Sequence, residues 1–457
     1  MDINTSWSLL LGYSDKQAKV IADKGMKHFL KKSFEAKYNQ PTEFLNTTIQ
    51  DIKLYRQQQK SLKDDPSGKK EFNKKYNQEL QEFYTWWIIN MQNSEFPLRE
   101  KMTSFWQNHF VVTENKVKFN KWIYQHNQLI REHCFGNFKT LTKMMLFNNA
   151  MNLYLDNFDN KVDGLNENLA RETLELFTLG IGNYTEMDIK NAAKGLAGMT
   201  AGDDGAVYRP KRMDNSPMNF LGKVGVFKAE EIVDIIFEQK AVPYLFTKKI
   251  LTWFITDNPT DADVKKYGDY FRKKNFEITD LLLKIFTDEY NMPRPIGTKT
   301  KDPLTFLLPI LTDLNLKVAY SRPLIYWLKG QGMLFYNQPN VKGWVGGEDW
   351  INTQSLTTRQ SALHQILFMP NYAYKKLNLT NIDGSSGKLE INLLPNDTNK
   401  TIIDRMVNKW SFIDSEEMQT DLETVLRYDF NPQAPNAENG VIRFYDYLIS
   451  RPETQIL

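Results

Sequence analysis

Residues 166–180 read NENLARETLELFTLG, and this segment is the strongest indication of the fold class. It also brings several carboxylate, amide and guanidinium side chains into one short stretch. At 3.6 residues per turn, Asn168, Glu172 and Glu175 fall on one stripe, with Arg171 beside it. Leucine, alanine and phenylalanine cover the rest of the circumference, and so wide an apolar arc indicates a largely buried helix. Buried carboxylates need partners, because an unpaired buried charge is costly. The segment therefore predicts helical structure and the place best suited to chemistry, without saying which chemistry.

The same helical period recurs along most of the chain, and strand-like alternation is scarce. Apolar residues repeat every three or four positions in four long stretches, 16–36, 70–92, 120–155 and 228–290. Ser14 is the predicted N-cap of the first stretch. Loop-forming residues interrupt the pattern at 200–225, 335–350 and 378–400. We therefore predict a mainly α, large multi-helix domain with long ordered loops and little or no β-sheet.

Length and composition are those of an ordinary globular protein. The chain has 457 residues, of which 41% are hydrophobic and 25% charged, and its formal net charge is +3. That length suits one large domain or a few smaller ones. We expect a single helical domain over 1–457, with an N-terminal lobe (1–205) and a C-terminal lobe (206–457) as the alternative. The balanced charge does not favour nucleic acid as a partner.

Targeting and redox signals are sparse. Cys134 is the only cysteine in the sequence, so no disulfide can form within the chain. No run approaches the roughly 20 apolar residues of a membrane span, and no secretory signal is visible at the start. The absence of a signal peptide predicts a cytoplasmic protein, with the periplasm as the alternative if a leader is missing from the sequence. The oligomeric state stays open.

The residues suited to metal or acid–base chemistry are few. The chain has five histidines, and none lies in an H-E-x-x-H or H-x-H pattern. The spacing of Glu172 and Glu175 nevertheless lets both carboxylates face one site, and His109 on another helix could add a nitrogen ligand. The other interpretation is a structural ion network of both glutamates with Arg171. Neither a G-x-S-x-G elbow nor a phosphate-binding glycine loop occurs.

The loop 335–350 gathers aromatic residues and glycines, among them Trp344 and Trp350. If exposed, it would be a platform for a sugar or a peptide, because aromatic faces stack on the apolar faces of ligands. If buried, its rings would fill the core. We favour burial, because Val341 and Val345 accompany the rings.

Five distinct motifs follow one another along the chain in a characteristic order. They are Trp106-x-Asn108-His109-Phe110, the 166–180 segment, Phe220-Leu221-Gly222, the glycine-rich loop 339–352 and Ser450-Arg451-Pro452-Glu453. In order and spacing the chain resembles the bacterial family called domain of unknown function 1800, over nearly its whole length. The resemblance implies a mainly helical fold and no established activity. It also implies a partner, a sulfatase-like hydrolase encoded nearby.

Departures from the family pattern concern histidines. Relatives often carry histidine where this chain has Gln107 and Phe177, and a His-Asp pair at Met213-Asp214. If the family site binds a divalent metal, the resemblance implies that this chain has a degenerate site, which binds the metal weakly or not at all. The ligand candidates that remain are His109, Glu172, Glu175 and Asp214.

Two functional hypotheses follow. The first is a binding or assembly module with a buried polar cluster, in which the surface around the 335–350 loop recognises a protein or a glycan. The alternative is a metal-assisted or carboxylate acid–base hydrolase with His109, Glu172 and Glu175 as catalytic groups. The missing histidines add a variant of this alternative, in which the hydrolase site is degenerate in this chain. The candidate binding residues are Asn108, Asn168, Arg171, Trp344 and Trp350.

Overall fold

The protein is described by a computed structural model that covers residues 1–292, 297–318, 322–368, 379–381, 393–410, 416–427 and 430–457. Helices carry most of these residues, and the strands form short two-stranded ribbons. The predicted mainly α fold is confirmed. No described helix combines the length and the apolarity needed to cross a bilayer.

The first half of the chain is helical from its start. Its helices are α1 Ile3–Leu11, α2 Ala18–Lys24, α3 Met26–Glu35, α4 Thr42–Thr47, α5 Ile52–Ser61, α6 Pro66–Asn93, α7 Leu98–His109, α8 Glu114–Val117, α9 Asn120–His133, α10 Phe138–Leu146, α11 Asn149–Tyr154, α12 Asn168–Glu172 and α13 Glu186–Leu196. A π-helix, Thr173–Thr178, continues α12 without a break.

The second half continues the helical pattern between longer connections. Its helices are α14 Ala229–Glu238, α15 Val242–Phe254, α16 Asp261–Lys273, α17 Ile278–Asn291, α18 Pro303–Asp313, α19 Arg322–Gly330, α20 Thr353–Phe368, α21 Asn399–Trp410, α22 Glu416–Val425 and α23 Ala437–Ile449. Short 3-10 turns lie at Asn157–Asp159, Pro210–Arg212, Gly347–Ile351 and Pro452–Gln455.

The strands pair as antiparallel ribbons. β1 Met199–Ala201 pairs with β2 Ala206–Tyr208, β3 Met218–Phe220 with β4 Lys223–Gly225, and β5 Leu316–Val318 with β6 Leu379–Asn381. The first two ribbons occupy the predicted 200–225 loop. Most of the predicted 378–400 loop lies outside the described residues.

The prediction of one continuous helix over residues 16–36 is wrong. It divides into α2 and α3 at Gly25, whose φ is +80°. The Gly25 N–H caps α2 by donating to the carbonyl of Ile21, and glycine takes this backbone conformation without steric cost. Ser14 is not the N-cap, because Gln17 occupies that position and makes no side-chain capping hydrogen bond.

One connected set of buried aromatic and aliphatic side chains runs through the described residues. Near its centre the ring of Phe246 on α15 stacks on Trp106 of α7 and on Phe138 of α10, at centroid distances of 5.2 and 4.4 Å. These contacts hold α15 against α7 and leave a space between the two helices and the 342–350 loop. The division into two lobes stays a prediction.

Candidate functional site

A cavity of about 480 Å³ opens between α7, α15 and the 342–350 loop. The end of α7 contributes Asn108 and His109 to its wall. Along α15 the lining residues recur at helical spacing, as Leu245, Lys248, Lys249, Thr252 and Trp253. One face of α15 therefore forms one side of the cavity.

Asn108 holds the loop side of the cavity in place. Its Oδ1 accepts a hydrogen bond from the backbone N–H of Trp344 at 2.6 Å, and its Nδ2 donates to the Trp344 carbonyl at 3.4 Å. Gly343 has φ +88°, and a Cβ there would lie 2.7 Å from the Asn108 carbonyl oxygen. Only glycine fits this approach, so the Asn108 and Gly343 motifs form one structural unit.

Aromatic side chains form the apolar part of the lining. Trp344 and Trp350 are 4% and 6% exposed, as the burial interpretation predicted, and both also line the cavity. Val345, which was an argument for burial, is 78% exposed. The loop therefore turns its tryptophans inward and its valine outward.

The cavity has a surplus of positive charge. Lys248, Lys249, Lys299 and Lys342 line it, and Asp302 is the acid among the lining residues. Lys299 is paired with Asp257 at 2.5 Å, and Asp302 with Lys101 at 3.2 Å. Lys248 and Lys342 are exposed. Lys248, Lys249 and Lys342 make no salt bridge with a described residue. The cavity therefore combines three lysines that lack a carboxylate partner with an aromatic lining.

The π-helix supplies the backbone acceptors that position Lys249 and His109. The carbonyl of Leu176 accepts from Lys249 Nζ at 2.8 Å, and the carbonyl of Phe177 contacts His109 Nε2 at 3.1 Å. Both carbonyls lie at the end of the π-helix, where backbone acceptors lack helical donors and carry partial negative charge. π-Helical turns occur frequently at functional sites.

Burial dominates the acid–base properties of the pair. It lowers the pKa of Lys249 to about 8, because desolvation disfavours the ammonium. Burial, and then the charge of Lys249, lower the pKa of His109 well below its ordinary value, against the opposing hydrogen bond to Phe177. His109 is therefore a neutral imidazole at neutral pH, beside a lysine that loses its proton unusually easily.

A family model described as "Protein of unknown function (DUF1800)" matches residues 7–456. The chain belongs to this family. No curated protein and no solved structure matches the chain. DUF1800 membership leaves the activity unassigned.

The two glutamates of the DUF1800 segment 166–180 have different surroundings. Glu175 accepts a hydrogen bond from the Tyr184 hydroxyl at 2.9 Å. Burial and the neighbouring Glu175 raise the pKa of Glu172, and the charges of Arg171 and Lys342 partly oppose this rise. Glu172 therefore lies within electrostatic range of the cavity residue Lys342.

Arg171 does not form the predicted ion network with Glu172 and Glu175. It pairs with Glu167 at 3.1 Å and with Glu186 at 2.9 Å, where it fastens α12 to the start of α13. Asn168 lies nearby and is half-buried; its backbone N–H donates to Asn166 Oδ1 at 3.0 Å.

Asp214 is buried and held by its own loop. Its Oδ1 accepts from the backbone N–H and the hydroxyl of Ser216, at 2.8 and 2.6 Å. Although burial opposes ionisation, these hydrogen bonds and the charges of Lys194 and Lys228 lower the pKa of Asp214. Hydrogen bonds within the loop and the neighbouring lysines thus stabilise the ionised carboxylate.

The described residues contain no group of three or more His, Cys, Asp or Glu side chains that could hold a metal ion. Of the sequence candidates, the cavity brings together His109, Asn108, Trp344 and Trp350. Glu172, Glu175, Arg171, Asn168 and Asp214 do not line it. A metal or hydrolytic role for His109, Glu172, Glu175 and Asp214 stays a prediction.

Sequence reasoning missed Lys248, Lys249 and Lys342. A signal was present for Lys249, because it interrupts the apolar pattern of α15 between buried Thr247 and Ile250. Lysines in such a helix normally extend their ammonium groups to solvent, as the exposed Lys248 does. Its contact with the π-helix depends on packing between distant segments.

Proposed function

We propose that this DUF1800 protein is a binding module whose cavity takes a small acid with a flat, apolar body. The observation that carries the proposal is the Lys249 ammonium, which is desolvated and has no carboxylate partner among the described residues. Lys249 is half-buried, and its ammonium contacts a carbonyl and an imidazole but no carboxylate. A charge partly withdrawn from water is costly without a counter-charge. An acidic group of a ligand would supply that counter-charge.

The other groups of the cavity suit the same ligand. Lys248 and Lys342 add positive charge near solvent, where it attracts anions before they enter. Trp344 and Trp350 provide flat apolar surface for the body of the ligand. A volume of about 480 Å³ lies in the range of cavities that enclose small molecules.

The test is calorimetric titration with benzoate and phenyl phosphate, with benzyl alcohol as the uncharged comparison. We expect both acids to bind and the alcohol to bind at least about 10-fold more weakly, because a charge-assisted hydrogen bond contributes about 1.5–3 kcal/mol. Equal affinity for benzyl alcohol would contradict the proposal.

Matched variants locate the site. Lys249→Met should weaken benzoate binding by about 10–100-fold, which is the loss of one charge-assisted contact. Lys31→Met is the control, because Lys31 is exposed on α3 and does not line the cavity. Binding that survives Lys249→Met unchanged, or that Lys31→Met weakens equally, would place the anion elsewhere.

A further inference from the structure

We propose that Lys249 Nζ is an amine nucleophile, which forms an imine with an aldehyde or keto group of an acid held in the cavity. The inference rests on the proposed binding function and adds a covalent step to it. It assigns the substrate class as carbonyl compounds that also carry an acidic group.

The hydrogen bonds of His109 determine its tautomer. Its Nε2 lies 3.1 Å from the Phe177 carbonyl oxygen, which can only accept, so Nε2 carries the proton. A neutral imidazole then has its lone pair on Nδ1. That lone pair lies 3.3 Å from Lys249 Nζ, so Nδ1 accepts from the amine.

The two acceptors around Lys249 orient its nitrogen. One N–H donates to the Leu176 carbonyl at 2.8 Å and a second to His109 Nδ1 at 3.3 Å. In the neutral amine these are the only hydrogens, and Cε takes a third tetrahedral direction. The lone pair therefore takes the fourth direction, in which no described residue bonds to Nζ. Because Lys249 lines the cavity, a bound carbonyl carbon can approach that lone pair.

A neutral Lys249 amine no longer needs a counter-charge, so the acidic group of a carbonyl compound can pair with other lysines of the cavity while its carbonyl lies at Lys249. Lys248 and Lys342 are exposed cavity residues and can hold the acidic group, which leaves the carbonyl for the buried amine. Desolvation also favours the reactive form, since it lowers the pKa of Lys249 to about 8 from 10.5. At neutral pH the neutral fraction of such a lysine exceeds that of an ordinary lysine by roughly two orders of magnitude.

The step balances without an oxidant or a reductant. The Nζ lone pair forms a bond to the carbonyl carbon while the π pair moves to oxygen. Two nitrogen hydrogens then leave with that oxygen as water. The neutral imine that remains takes up one proton from solvent, equal to the proton that the ammonium released before the attack, and the N–H of the resulting iminium can donate to Leu176 or His109.

The probe is 4-carboxybenzaldehyde, which carries an acid, a flat ring and an aldehyde. Whole protein is incubated with the probe and sodium cyanoborohydride, which reduces an imine to a stable secondary amine, and modified peptides are quantified by mass spectrometry. We expect Lys249 to be modified at least about 10-fold faster than the exposed Lys31, with a rate that rises as the pH approaches 8. Excess benzoate should slow the reaction at Lys249 alone.

Two variants and one comparison complete the test. Lys249→Arg should abolish the fast adduct, and Lys31→Arg should leave it intact. Modification spread evenly over surface lysines overturns the inference. If benzoate binds but Lys249 is not modified, the imine fails and the binding function stands. If Lys249 is modified fast while benzoate neither binds nor competes, the amine chemistry stands and the binding proposal fails.

Discussion

Replacing Gly343 by alanine tests the coupling between the Asn108 motif and the cavity loop. Gly343 has φ +88°, and its new Cβ would meet both the side-chain and the backbone oxygen of Asn108. The left-handed conformation alone costs an L-residue about 1–2 kcal/mol. Relieving the clash also breaks the hydrogen bonds between Asn108 and the Trp344 backbone, each with a net contribution of about 1 kcal/mol.

Gly332 provides the matched control for backbone strain. Its φ is +78°, yet a Cβ there would meet nothing within 4 Å. Gly332→Ala should therefore cost only the conformational penalty, about 1–2 kcal/mol. For Gly343→Ala we expect about 3–4 kcal/mol.

The assay is urea denaturation of the wild type and both variants, followed by tryptophan fluorescence, together with benzoate titration of the folded proteins. Gly343→Ala should also weaken benzoate binding, because Trp344 shifts with the loop, and Gly332→Ala should not. Equal destabilisation by the two substitutions would refute the reasoning, since it would mean that the Asn108 contact adds nothing to backbone strain.

Three further predictions concern charges and metals. The folded-state pKa of Lys249 is lowered to about 8 from 10.5. Between these two pH values the unfolded chain therefore binds more protons than the folded chain. The free-energy cost of burying the Lys249 ammonium disappears as the pH rises through this window. The difference in unfolding free energy between Lys249→Met and wild type, measured by urea denaturation, should therefore shift in favour of wild type from pH 8 to 10.5; a pH-independent difference would contradict the burial of the amine. Arg131 Nη1 lies 2.5 Å from Glu100 Oε1 in the core, so Arg131→Met should lower the free energy of unfolding by about 3–5 kcal/mol. Lys32→Met, in the exposed Lys32–Glu35 pair, is the control and should lower it by under about 1 kcal/mol. Similar losses for both variants in urea denaturation would show that burial of the ion pair is not decisive. If Glu172 and Glu175 hold a divalent metal, elemental analysis should find the metal in the wild type and not in the Glu172→Gln/Glu175→Gln double variant. EDTA should then lower the Tm of the wild type alone. A metal-free wild type whose Tm does not respond to EDTA would contradict the metal hypothesis.

Local pattern was sufficient for the fold class but not for every boundary. Four apolar stretches with helical period predicted the main helices, because the periodicity of burial is a property of neighbouring residues. The break at Gly25 was missed, although glycine with φ +80° ends α2, because an isolated glycine inside a periodic stretch is also tolerated in helices. The π-helix at 173–178 was not predicted, since its residues are those of an ordinary α-helix.

Motifs in the sequence singled out some of the residues that line the cavity, and the roles given to these residues stay predictions. Asn108, His109, Trp344 and Trp350 came from motifs, and the structure brings them to one cavity. Arg171 was assigned the wrong partners, because its ion pair with Glu186 joins two helices through a loop whose path the sequence leaves open. The glutamates singled out with it do not line the cavity.

By itself the sequence determined the helical fold, the DUF1800 motifs and the residue types available for chemistry, since these depend on neighbours within a few turns. Only the tertiary structure decided which charges have no counter-charge among the described residues. Lys249 lies 140 positions from His109 in the chain and 73 from Leu176, and its proton affinity follows from desolvation by the elements packed around it. Solvent exclusion is a property of the packed molecule, and for this reason the linear pattern could mark Lys249 as an interruption of an apolar helix but could not give its proton affinity.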